Sequence, residues 1–182
     1  MGKEDGDAGF TLVDTLMSTV VMTIVMAVFT TSILAMYRSA RTVENKSVAQ
    51  TQLSVALQRL DREVRYAVGI SRPYNGGKWV DFLVVQQDRR QCVQLKVANG
   101  TLARRTWTYQ QAVGAAWNTL ATGVTSTAPF GYVGPTATMG FQQLQVNLTV
   151  TAGTGRDANA ATFTALNSSR STGNDYCSAG RS

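Results

Sequence analysis

Residues 10–37 read FTLVDTLMSTVVMTIVMAVFTTSILAMY, and the character of this stretch decides how the rest of the chain must fold. From Thr15 to Tyr37 there are 23 residues with no charge, no proline and no glycine. As an α-helix that segment is about 34 Å long, enough to cross a hydrocarbon core of about 30 Å. Its Ser and Thr hydroxyls can bond back to their own helix or across to a neighbouring one. A Sec-type signal peptide places basic residues before a shorter apolar core and a small-x-small cleavage site after it. Here the run is too long, and the preceding MGKEDGDAG (residues 1–9) is polar, glycine-rich and acidic, with no apolar face to fold on.

Working outward, the helical period continues past the apolar run in amphipathic form. Leu53, Ala56, Leu57, Leu60, Val64, Ala67 and Val68 recur at three- and four-residue spacing, with Arg59, Asp61, Arg62, Glu63 and Arg65 between them. The first breakers are Gly69, Pro73 and Gly76-Gly77, which predicts one helix from about Phe10 to about Val68. From Trp79 the period changes to that of strands: WVDFLVVQ, QCVQLKVA, then the Asn99-Gly100 hairpin signal and TLARRTWTY. MGFQQLQVNLTV alternates cleanly and ATFTALN fits a last strand, while 110–139 is rich in Gly, Pro and Thr and reads as connections. The expected fold class is α+β, with four to six antiparallel strands laid over the amphipathic half of the helix. The domain plan is 1–9 leader, 10–37 membrane helix, 38–68 amphipathic helix and 69–182 β-rich head.

Composition agrees with a membrane segment joined to a polar domain. Hydrophobic residues make up 44% and charged ones 15%, the latter below the roughly 25% of soluble domains. The net charge of +6 permits nucleic acid, anionic lipid or a polyanionic wall as partners and selects none of them. There is no histidine, which removes every Ser-His and Cys-His catalytic arrangement. No phosphate loop, carboxylate cleft or metal-ligand cluster stands out, so neither an enzyme nor a cofactor is expected. Cys92 and Cys177 make no CxxC; in an exported domain they read as one disulfide tying the C-terminal tail to the head, the alternative being two buried thiols.

Gly9-Phe10-Thr11-Leu12-Val13-Asp14, opening directly into the apolar run, resembles the class III signal of type IV pilins and pseudopilins. The resemblance covers the leader, the apolar helix and the helix-then-sheet order. It implies cleavage by a prepilin peptidase between Gly9 and Phe10, N-methylation of Phe10, and retention of the helix as membrane anchor and filament core. It also implies a role for Asp14, standing where the family has Glu, in meeting the amino terminus of a neighbouring pilin or pseudopilin subunit. A carboxylate one turn into a membrane helix is costly without a partner. Arg59–Arg65 and Leu120–Val124, followed by Phe130-Gly131-Tyr132, are similar to the collar region of the pseudopilin J and minor-pilin W group, and the shorter reach of Asp14 suits a minor subunit. The head is then extracytoplasmic and finally part of a cell-surface filament. Arg38, Arg41 and Lys46 lie on the far side of the apolar run, and by the positive-inside rule that flank favours the opposite orientation.

Two further readings stay open at this level. Arg89, Arg90, Arg104 and Arg105, with Trp107 and Tyr109 nearby, form a possible basic and aromatic patch for single-stranded nucleic acid, or else charged hairpin ends that keep sheet edges soluble. The whole chain is alternatively a single-pass anchored binding domain that never polymerises.

Overall fold

In the computed structural model, residues 11–111 and 116–180 are described; Gly9 and Phe10, on which the cleavage expectation falls, lie outside them. A single α-helix, α1, spans Leu12–Arg65, 54 residues. It begins directly behind Thr11 because that residue caps it, and it persists because no glycine or proline interrupts it. It stops three residues short of the expected Val68. Ala67 is needed opposite Val84 in the first strand, and the last carbonyls of the helix find partners at once. Arg65 O accepts from the Leu166 N–H (3.0 Å), and Tyr66 O accepts from Asn167 Nδ2 (3.2 Å).

The chain divides into two compact units between Thr42 and Val43. In the first, all described residues are exposed, including Leu16, Val20, Ile24, Val28 and Phe29. This stretch is long and apolar enough to cross a membrane. Its hydroxyls turn inward: Thr15 donates to Leu12 O (2.9 Å), Thr19 to Leu16 O (2.9 Å), Thr23 to Val20 O (2.7 Å) and Ser32 to Val28 O (2.8 Å). That is the arrangement a polar side chain needs where no water is available.

In the second unit, Ala49, Leu53, Ala56, Leu60 and Val64 form the buried stripe of α1. They share one core with strands from two antiparallel sheets. The first sheet holds β1 (Ala67–Ile70), β2 (Trp79–Gln86), β3 (Arg89–Ala98), β4 (Thr101–Thr108) and β5 (Asn118–Thr122) in sequence order. The second holds β6 (Phe130–Val133), β7 (Gln142–Ala152) and β8 (Gly155–Ala165). The helix-plus-antiparallel-sheet class is therefore as expected, but the described residues form eight strands in two sheets rather than four to six in one. β1, β5 and β6 are the strands not read from the sequence. Each is four or five residues long, and the last two lie in the Gly- and Thr-rich connections.

Asn99 and Gly100 both adopt positive φ (50° and 69°), the two-residue hairpin that their sequence announces. Gln87 and Asp88 do the same between β2 and β3 (49° and 60°) without a glycine.

Candidate functional site

The start of α1 is built from the backbone upward. Thr11 stands at the N-cap and Asp14 three residues on. The Thr11 hydroxyl donates to Asp14 Oδ2 (2.8 Å), the Thr11 N–H donates to the same oxygen (3.3 Å), and the Asp14 N–H donates to Thr11 Oγ1 (3.4 Å). This is a capping box with aspartate in the usual glutamate place. It also sets a negative charge on the positive end of the helix dipole. The signal was legible as Thr11-x-x-Asp14; the intersubunit partner of Asp14 is what the pilin resemblance implies, and this local pairing was not read. Both Thr11 bonds fall on Oδ2, so Oδ1 makes no hydrogen bond among the described residues.

On the first sheet, pleat alternation places Val80, Phe82, Val93, Leu95 and Leu102 toward α1. The opposite face carries Asp81, Gln94 and Arg105 in one cross-strand row. All three are buried and joined: Tyr74 OH donates to Asp81 Oδ1 (2.9 Å), Gln94 Nε2 donates to Tyr74 OH, and Arg105 Nε donates to Gln94 Oε1. Burial lowers the Arg105 pKa from its ordinary value, opposed by the nearby Tyr74 and Asp81. A satisfied polar row of this kind fixes register, since any slip would strand a buried charge.

The four arginines of the sequence-level patch are not brought together. Arg104 faces α1, where its Nε donates to Glu63 Oε2 (2.7 Å), while Arg59 approaches the other oxygen of Glu63 (3.2 Å). Arg105 lies on the opposite face, 5.6 Å from the Trp107 ring centre and 4.5 Å from that of Trp117. Arg89 and Arg90 are exposed at the β2–β3 hairpin, Arg90 lying 5.9 Å from the Tyr109 ring. Lys96, not read as a site residue, sits 3.8 Å from the Trp117 ring centre and 5.4 Å from that of Trp79. Trp79 and Trp117 meet edge to face at 5.7 Å. These rings are occupied by the chain's own cations, as a packed surface requires.

Cys92 and Cys177 are joined, with sulfurs 2.07 Å apart, and the bridge packs with Leu83 and Trp107. Sequence reasoning missed a second anchor for the same tail, the buried Gln142. Its Oε1 accepts from the Ile70 N–H (2.7 Å), and its Nε2 donates to Thr172 O (3.0 Å) and Gly173 O (3.3 Å). A lone glutamine in an alternating strand gives no such signal. A cleft of about 540 Å³ lies between α1 and β2–β4, lined by Val55, Arg59, Arg62, Glu63 and Arg104 among others. Among the described residues, no group of three or more His, Cys, Asp or Glu side chains is placed to hold a metal ion. No protein-family model and no curated protein matches the sequence.

Proposed function

We propose that the chain is a prepilin-like structural subunit with no catalytic role, a minor component of a type IV pilus or type II secretion pseudopilus. A prepilin peptidase cuts between Gly9 and Phe10, and the subunit assembles with other pilin or pseudopilin subunits through its N-terminal helix. The observation that carries this reading is the uncharged, largely apolar surface of α1 from Thr15 to Tyr37, exposed along its whole length. It begins at a capped turn immediately behind the Gly-Phe junction. Such a surface needs lipid before assembly and other apolar helices after it. Oδ1 of Asp14, which makes no hydrogen bond among the described residues, is the acceptor offered to the amino terminus of a neighbour.

The capping box also favours a second reading. Because Thr11 satisfies Asp14 locally, the same helix can serve as a plain anchor for an extracytoplasmic binding domain. The two separate on Asp14→Ala, expressed with its assembly machinery and followed by cell fractionation. In the filament reading the variant enters the membrane and stays out of sheared surface filaments. Incorporation equal to that of the unaltered chain would favour the anchor.

A further inference from the structure

Among the described residues the two sheets have four edge strands, and three of them are closed to further pairing by ordinary means. β1 and β6 have four residues each and β5 has five, and register shifts interrupt β1 and β5. β8 is different. It has 11 residues, pairs with β7 from end to end without a bulge, and is the edge of its sheet. Beyond Asp157 it carries no charge and no proline, and Ala158, Asn159, Ala160 and Thr162 are exposed. An edge this long and regular is normally blunted by lysine, proline or a bulge.

The direction of its free backbone groups follows from its neighbour. Asn147, Thr149 and Thr151 of β7 donate their N–H groups away from β8, to Pro129 O (2.8 Å), Ser126 Oγ (2.7 Å) and Gly123 O (2.8 Å). Their partners on β8 are Ala160, Ala158 and Arg156. Both members of such an antiparallel pair turn their backbone groups away from one another. The N–H and C=O of Arg156, Ala158 and Ala160 therefore face the open side.

A second observation concerns side chains. Asn159, Ala161 and Phe163 form one wall of a groove of about 590 Å³, and Leu57, Arg62 and Tyr66 of α1 stand across it. Asp61 and Arg65 on the rim are paired with each other at 2.9 Å, whereas Arg62 makes no ion pair among the described residues. We propose that β8 receives an extended segment of a different polypeptide by strand addition. Its main chain bonds to Arg156, Ala158 and Ala160, its alternate side chains enter the groove beside α1, and an acidic one meets Arg62. Arg62, which has no ion pair among the described residues, and the exposed Arg156 set that charge preference.

A second copy of this chain fits less well. Within β8 the acidic Asp157 stands next to the basic Arg156, so a second β8 brings no net negative charge to Arg62.

The test is titration of the ¹⁵N-labelled full chain in detergent micelles with a blocked hexapeptide that alternates valine with threonine and glutamate. Saturable shifts confined to β8 and the facing turns of α1 are expected, with new exchange protection at Arg156, Ala158 and Ala160. Replacing glutamate by lysine in the peptide should weaken binding about tenfold, and Arg62→Ala should remove that preference. Ala158→Pro or Ala160→Pro should abolish binding, since neither N–H serves the β7–β8 ladder. Absence of saturable shifts, shifts on another strand, or protection that leaves those three amides unchanged would overturn the proposal whether or not a proline variant folds. So would self-association through β8 that a proline variant removes.

Discussion

Glu63 on α1 accepts a 2.7 Å bond from Nε of Arg104 on β4, and this is the ion pair that ties the helix to the first sheet among the described residues. Both side chains are largely buried, 17% and 15% exposed, so the pair is short of water to replace a lost partner. Glu63→Ala leaves Arg104 uncompensated and should cost about 2–3 kcal/mol. Glu63→Gln keeps a hydrogen-bond acceptor and should cost less. Thermal unfolding of the full chain in detergent, read by near-ultraviolet circular dichroism, gives both values.

The Cys92–Cys177 bridge closes a sequence separation of 85 residues. On the chain-entropy account such a closure is worth about 4–5 kcal/mol. Reduction should lower the unfolding midpoint. It should also raise hydrogen exchange in 168–180 less than a combined loss of the bridge and Gln142, because Gln142 holds the tail independently. Equal exchange in the reduced chain with and without Gln142→Ala would refute that division of labour.

Gly155 brings β8 against α1. A Cβ there would lie 2.5 Å from the backbone N of Lys46, and backbone cannot swing aside as a side chain can. Gly155→Val should therefore destabilise the head by about 3 kcal/mol or more. Gly140, around which nothing lies within 4 Å, is the control, and Gly140→Ala should be near neutral in the same melt.

Burial pushes the Tyr132 phenol above the ordinary tyrosine value, with Arg72 opposing. The folded state thus prefers the neutral phenol. Its contribution to stability is complete below about pH 10 and is lost as pH rises through the folded value. Tyrosinate absorbance followed through an alkaline titration should show a late-ionising component that is lost in Tyr132→Phe.

What could be read from the sequence was what strong periodicity writes. The 23 uncharged residues, the stripe Leu53–Leu60–Val64 and the strands at 79–86, 91–98 and 101–108 each signal their state within a short window. The first half of β8 was not legible, because its hairpin turns on Gly153-Thr154, with positive φ at the glycine, rather than on Asn-Gly. β5 and β6 are too short to show alternation and are fixed by neighbours distant in sequence, such as Phe130 opposite Val146. At the candidate site, Asp14 was legible as a residue needing a partner; the local bonds from Thr11 to its Oδ2 were not read, and the intersubunit partner that the resemblance implies is a separate matter. The arginine pairs do not make one patch, because adjacent strand residues point to opposite faces, which sends Arg104 to Glu63 and Arg105 to Gln94.

The central claim concerns the junction ahead of Thr11, and intact-mass and terminal-peptide analysis of the chain purified from its own membranes tests it most directly. The account predicts a mature chain that begins at Phe10, carries one added methyl group on its amino terminus and retains the whole apolar helix. A chain that still begins at Met1, or one cut after Tyr37, would contradict it.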